Sequence, residues 1–186
     1  MIKRSILIPT LVAGFAVGAV SSPATAQHAH GAHAPASPGG LQIPEPMRIE
    51  HEEIHAHLEA ATEVPGAVGA AARALVEVLA PHFERENQIA LPPLGLLAAL
   101  AHGEAIPDDV KARALAMTDS LRAELPGMLE EHVRIAAAAK KLEQVAGEHR
   151  NADVEALARK LQMHARMEEE VNYPAAVLVG TLLRHR

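Results

Sequence analysis

The stretch HFERENQIALP at residues 82–92 returns in outline as HARMEEEVNYP at residues 164–174. Both place a Glu four residues after a His and a Pro six residues after the Glu: His82, Glu86, Pro92 and His164, Glu168, Pro174. Ile89 and Val171, both β-branched, stand seven after each His. Upstream, Glu50-His51 with Ile54 matches Glu131-His132 with Ile135, and the interval between the two histidines of each unit is 31 residues in one case and 32 in the other. A His-x3-Glu pair alone is cheap, as His55 with Glu59 shows. Adding a Pro at fixed distance drops the chance expectation to roughly 0.1, and here the pattern occurs twice in register. Internal repetition of this kind decides an architecture before any single residue does.

Residues four apart share one face of a helix, about one turn apart. Each repeat therefore carries an imidazole and a carboxylate aimed at a common point from one helix, and a single His from the helix before it. The surrounding sequence supports helices: from Pro44 onward it is rich in Ala, Leu, Glu, Arg and Met, strong helix formers, with no alternating strand pattern of useful length. Pro65-Gly66, Pro92-Pro93, Gly103 to Pro107, Pro126-Gly127 and Gly147 mark joints. Asp108-Asp109 suits a helix N-terminus, where carboxylates meet the positive end of the dipole. The pattern predicts helices over 44–62, 66–91, 108–124, 127–147 and 151–173, with short apolar pieces at 94–101 and 175–183. Pro81 is expected to kink or locally break the second helix. The fold class is all-α, a bundle of four main helices with short additions.

Composition narrows the function. The chain has 186 residues, 49% of them hydrophobic and 22% charged, enough for one domain with an appendage. It has no Cys, which removes disulfides, thiolate metal sites, Cys nucleophiles and iron–sulfur clusters. A net charge of −6 and 2% aromatics argue against nucleic-acid binding, which needs a basic footprint and stacking platforms. Histidine stands out, with 12 residues. At the N-terminus, Lys3-Arg4, an apolar run from Ile6 to Val20 and the close Ser21-Ser-Pro-Ala-Thr-Ala26 have the form of a secretory signal peptide, residues 1–26. The run is shorter than the ~20 residues that span a bilayer, so stable membrane insertion is not expected and the mature chain is expected to be periplasmic or secreted. Residues 27–43, with His28, His30 and His33 among Ala, Pro, Ser and Gly, read as a flexible linker. The helical domain is then 44–186.

Packing four such helices as antiparallel pairs brings four imidazoles and two carboxylates together inside the bundle. Unpaired, these groups lose hydration on burial, and a bound cation offsets that loss. Two bridging carboxylates hold two cations about 3.5–4 Å apart.

The layout His51; His82-x3-Glu86; His132; His164-x3-Glu168, with a Pro ten after each paired His, resembles the hemerythrin-like (HHE cation-binding) domains over roughly residues 46–180. The resemblance implies an up-down four-helix bundle around a non-haem di-iron centre. Two Fe ions would share an oxo or hydroxo bridge, with Glu86 and Glu168 bridging and the four His as terminal ligands. Ferritin-like di-iron bundles use Glu-x-x-His and a majority of carboxylates, the opposite balance to this one. Two positions depart from the oxygen-carrying members: Ala136 stands where a second His of the third helix is expected, and the last-helix carboxylate is Glu168 at four, with Glu169 at the usual fifth place. These departures point away from pure oxygen transport. His55, one turn after His51, is a further candidate ligand. Of twelve positions on two six-coordinate irons, the two bridging Glu, the oxygen bridge and four His leave two open; with His55 they leave one.

Three functions follow as expectations. The first is an exported di-iron protein that binds dioxygen or a related small oxidant or radical, such as peroxide or nitric oxide, as carrier, sensor or scavenger. The second is a periplasmic zinc or copper buffer without redox chemistry, since nitrogen-rich sites favour those metals intrinsically. The third is a di-iron enzyme acting on peroxide or nitric oxide with an electron donor. Tyr173, the only Tyr, lies five after Glu168 and is expected off the ligand face as a packing residue; His57, His102, His149 and His185 are expected at the surface.

Overall fold

A computed structural model describes residues 41–186. The expected signal peptide and all but the last three residues of the expected linker lie outside the described residues. Within them the chain is helical, with no strand. Six α-helices follow in order: α1 (Glu45–Thr62), α2 (Ala67–Ile89), α3 (Leu97–Ala101), α4 (Asp108–Glu148), α5 (Ala152–Met167) and α6 (Tyr173–Arg184). A 3-10 turn, Pro92–Leu96, leads into α3, and a π turn, Glu168–Asn172, joins α5 to α6. No helix among the described residues is long and apolar enough to cross a membrane.

Four helices close a ring, α1 against α2 and α5, α4 against α2 and α5. Short connections enforce this. Gly66, at φ 80°, turns the chain from α1 into α2, a left-handed conformation that costs glycine little. Three residues separate α4 from α5, where Asn151 accepts the Val154 amide at 3.2 Å and caps the helix.

The expected joint at Pro126-Gly127 is absent: α4 runs unbroken for 41 residues. A proline removes one intrahelical bond and crowds one carbonyl. Against that, Leu121 and Met128 are buried two turns apart on either side of the proline, and His132, Ile135, Ala139 and Leu142 follow at alternating four- and three-residue steps, so the buried stripe stays in phase. At about 1.5–3 kcal/mol per buried Leu or Ile, tertiary packing outweighs the proline. Pro81 likewise lies inside an unbroken α2. At Pro174 the chain does not start anew: α5 continues through the π turn into α6, whose first turn holds the proline.

The apolar core has two layers about the repeat residues. Ile54, Leu58, Leu75, Leu79, Phe83, Ile135, Leu142, Leu157 and Leu161 pack on one side, and Ile89, Leu91, Leu94, Leu121, Met128 and Tyr173 on the other. On α1, α2, α4 and the α5 segment alike, the His and Glu positions fall between them.

Candidate metal centre

Between these layers the bundle buries six ionisable side chains. His51 on α1, His82 and Glu86 on α2, His132 on α4, His164 on α5 and Glu168 at the start of the π turn are each at most 7% exposed. They form two groups, His51 and His164 with Glu86 and Glu168, and His82 and His132 with the same two carboxylates. Within each group one donor atom per residue lies within 4.8 Å of every other, and each group could hold a metal ion. Both groups draw one His from each sequence repeat, so neither repeat completes a position alone.

Glu168 divides its oxygens between the groups. Oε1 is 2.9 Å from His164 Nε2 and 3.4 Å from His51 Nε2, while Oε2 is 3.6 Å from His132 Nε2. Glu86 does the same, with Oε1 3.4 Å from His82 Nε2 and Oε2 3.9 Å from His51 Nε2. The Nε2 atoms of His82 and His132 are 2.8 Å apart.

Carboxylates on the outer nitrogens orient the rings. Glu131 Oε2 is 2.8 Å from His82 Nδ1, Glu169 Oε1 is 2.9 Å from His132 Nδ1, and Glu50 Oε2 is 3.3 Å from His164 Nδ1, a looser contact. Such partners favour the tautomer that turns Nε2 inward and raise ligand basicity. Glu50 and Glu131 are the residues before His51 and His132, yet each supports a His of the opposite repeat. His51 has no carboxylate on Nδ1; its ring stacks on Phe83 at 4.1 Å and 7°.

The donor set fits a cation. Glu86 Oε2 and His51 Nδ1 are buried without a hydrogen-bond partner, and each such group costs about 1–3 kcal/mol; His164 Nε2 and Nδ1 meet Glu168 and Glu50 as ion-pair contacts without hydrogen-bond geometry. A cation at the inner atoms would satisfy Glu86 Oε2 and His164 Nε2 directly. Without one, protons hold the cluster together. Burial lowers the proton affinity of His82, but hydrogen bonds and charge from Glu86, Glu131 and Glu168 outweigh it and raise its pKa to about 9. Burial raises that of Glu168, and the close contacts and charge of His164 and His51 overcome it and lower the pKa to about 2. His164 is also raised, because Glu168, Glu50 and Glu86 overcome the effect of burial.

A pH dependence follows for the metal-free protein. The raised His82 contributes stability that is full below its ordinary 6.5 and is lost as pH rises through about 9; the depressed Glu168 contributes above its ordinary 4.5 and is lost as pH falls toward about 2. Chelator-treated protein is expected to melt highest between these ordinary values. A melting temperature still climbing from pH 7 to 9 would contradict the pairing.

The six expected ligands converge; His55 does not join them. It is exposed on α1 and lines a groove of about 600 Å³ between α1 and α2, beside His51, Leu79 and Phe83. His57, His102, His149 and His185 are exposed, as expected.

Tyr173 is a correction. It is 1% exposed, and its hydroxyl donates to Glu86 and lies 3.1 Å from His132 Nε2 and 3.4 Å from His82 Nε2. In a regular helix a residue five along is about 140° away around the axis. Here the Tyr173 amide bonds to the Glu168 carbonyl, five residues back, and the widened turn carries the ring back over the site. The cause is Pro174, which cannot donate to Glu170 and crowds its carbonyl. The first repeat does likewise: the Leu91 amide, just before Pro92, bonds to the Glu86 carbonyl at 3.0 Å. Glu169, at the fifth place after His164, is half-exposed and holds His132. The repeated Glu-His dipeptides were the available signal for Glu50 and Glu131, and the prolines were the signal for Tyr173.

The chain matches no family model, and comparison with curated proteins and with solved structures finds no match either.

Proposed function

We propose that this protein is an exported, hemerythrin-like non-haem di-iron protein that binds dioxygen or a related small oxidant or radical. One observation carries the reading: two buried groups, each with two imidazoles, share the carboxylates of Glu86 and Glu168. A pair of shared carboxylates is what holding two cations side by side requires. The four His and two Glu would hold the irons, and the irons would supply reversible electron transfer and open positions for a small oxidant. The chain's own part is to keep Nε2 of His82, His132 and His164 turned inward through Glu131, Glu169 and Glu50 and to hold the His51 ring against Phe83, and to exclude bulk water with the two apolar layers. The groove between α1 and α2 reaches His51 from solvent and suits entry of a small uncharged molecule.

The test is metal content with the optical spectrum of protein produced in iron and exposed to air. About two irons per chain, with near-ultraviolet bands that change when peroxide or nitric oxide is added, is the expected result. Iron below one per chain after reconstitution, with two zinc or copper ions bound instead, would replace this reading with a metal buffer.

A further inference from the structure

We propose that Tyr173 is itself a metal ligand, its phenolate oxygen binding the ion held by His82, His132 and the two glutamates, so that the two positions of the centre are chemically inequivalent. This rests on the dinuclear reading above and adds to it a ligand that neither the repeat nor the donor count contains.

The geometry points to it in three ways. The Tyr173 oxygen meets three inward donors of one group at once, hydrogen-bonding Glu86 and lying 3.1 and 3.4 Å from the His132 and His82 Nε2 atoms. Those two nitrogens are themselves 2.8 Å apart. Two donors at right angles on one ion, each bonded at 2.0–2.1 Å, stand about 2.9 Å apart. The phenol oxygen is thus spaced from its neighbours as a co-ligand would be, not as a residue packed behind them. Second, the ring is locked: it is 1% exposed, in the apolar layer with Leu91, Leu121 and Met128, and stacks on His132 at 5.5 Å and 24°. Third, the placement costs the chain a π turn, a distortion that recurs at functional sites.

The other group has no such residue. The repeat counterpart of Tyr173 is Leu91, and the ring beside His51 is Phe83. The His82/His132 position then has one protein donor more than the His51/His164 position, so a small molecule entering by the groove beside His51 finds its open sites at the latter. As the oxygen–metal bond forms, the phenol O–H bond breaks and its proton leaves to solvent; no electron moves in this step.

The experiment uses the full mature chain loaded with ferrous iron and oxidised in air, with iron counted in the same sample. With one Tyr and no Trp, any phenolate signal belongs to Tyr173. A visible phenolate-to-ferric charge-transfer band with tyrosinate vibrations in resonance Raman is expected. Tyr173→Phe is expected to lose both completely while keeping about two irons and an unchanged helical circular dichroism spectrum. Two irons per chain without the band would overturn the assignment and leave the dinuclear reading standing. A band that survives in Tyr173→Phe would overturn it as well, and failure to bind iron would overturn both.

Discussion

Glu168→Ala is expected to abolish metal binding at both positions, from about two ions per chain to fewer than one. Glu168, like Glu86, turns its two oxygens toward different groups, Oε1 toward His51 and His164, Oε2 toward His132. Truncation therefore removes a donor from each position and leaves three buried imidazoles without their shared acceptor. The energetic consequence differs between the loaded and stripped forms. An ion present at a thousand times its dissociation constant stabilises the fold by about 4 kcal/mol, which for a chain of this size is about 10 °C in Tm. The wild type is expected to lose that increment on chelation, whereas Glu168→Ala has little to lose. Thermal melts of both proteins, with and without chelator, measure it. Equal shifts of loaded and stripped forms would sink the claim that metal binding is part of folding. Single-histidine variants give the control: His51→Ala and His132→Ala each remove a donor from one group only and are expected to keep about one ion.

Gly69→Ala is expected to be the most destabilising single methyl addition. A Cβ at Gly69 would stand 2.0 Å from the Val64 carbonyl oxygen and 2.8 Å from that of Thr62. Both are backbone atoms of the segment that ends α1 and turns into α2, and Thr62 O also accepts from Arg73 at 2.6 Å. Neither oxygen can rotate away as a side chain would, so the helices must separate. Overpacking of this kind costs about 1–3 kcal/mol and occasionally more, and a clash with backbone places Gly69→Ala at the upper end. It also shifts His51 on α1 relative to His82 and Glu86 on α2, so metal affinity is expected to fall together with stability. Chemical denaturation of the metal-free protein reads the first effect and metal titration the second; a loss below about 0.5 kcal/mol would show that the approach of α2 to that turn is looser than described. Gly180→Ala is a milder case, because its neighbour is the Thr118 side chain, with Oγ1 at 2.2 Å, which has a rotamer to change.

Much of the architecture was legible along the chain because helices announce themselves locally. The α1 and α2 boundaries, the short apolar segment after Pro92 and the N-terminus at Asp108 follow from periodicity and punctuation. The sequence erred at Pro126-Gly127, where a local breaker competes with a buried stripe extending over several turns on both sides. Local rules see the first and not the second. The donors themselves were legible because the repeat states them twice: His51 and His132, His82 with Glu86, His164 with Glu168.

What the sequence determined by itself is therefore the all-helical class and the six inward donors, since both are written in spacings of three to seven residues that a helix converts directly into a face. Only the tertiary structure decided which donors share a position. The pairing of His51 with His164 and of His82 with His132 crosses the repeats, and no spacing along one chain segment encodes a contact between helices more than 40 residues apart. It also decided the places of Tyr173, Glu169 and His55. A π turn rotates Tyr173 onto Glu86, packing brings the half-exposed Glu169 onto His132, and the pairing of α1 with α2 leaves His55 lining a groove. The first depends on a local departure from helix periodicity, the other two on where one helix surface meets another.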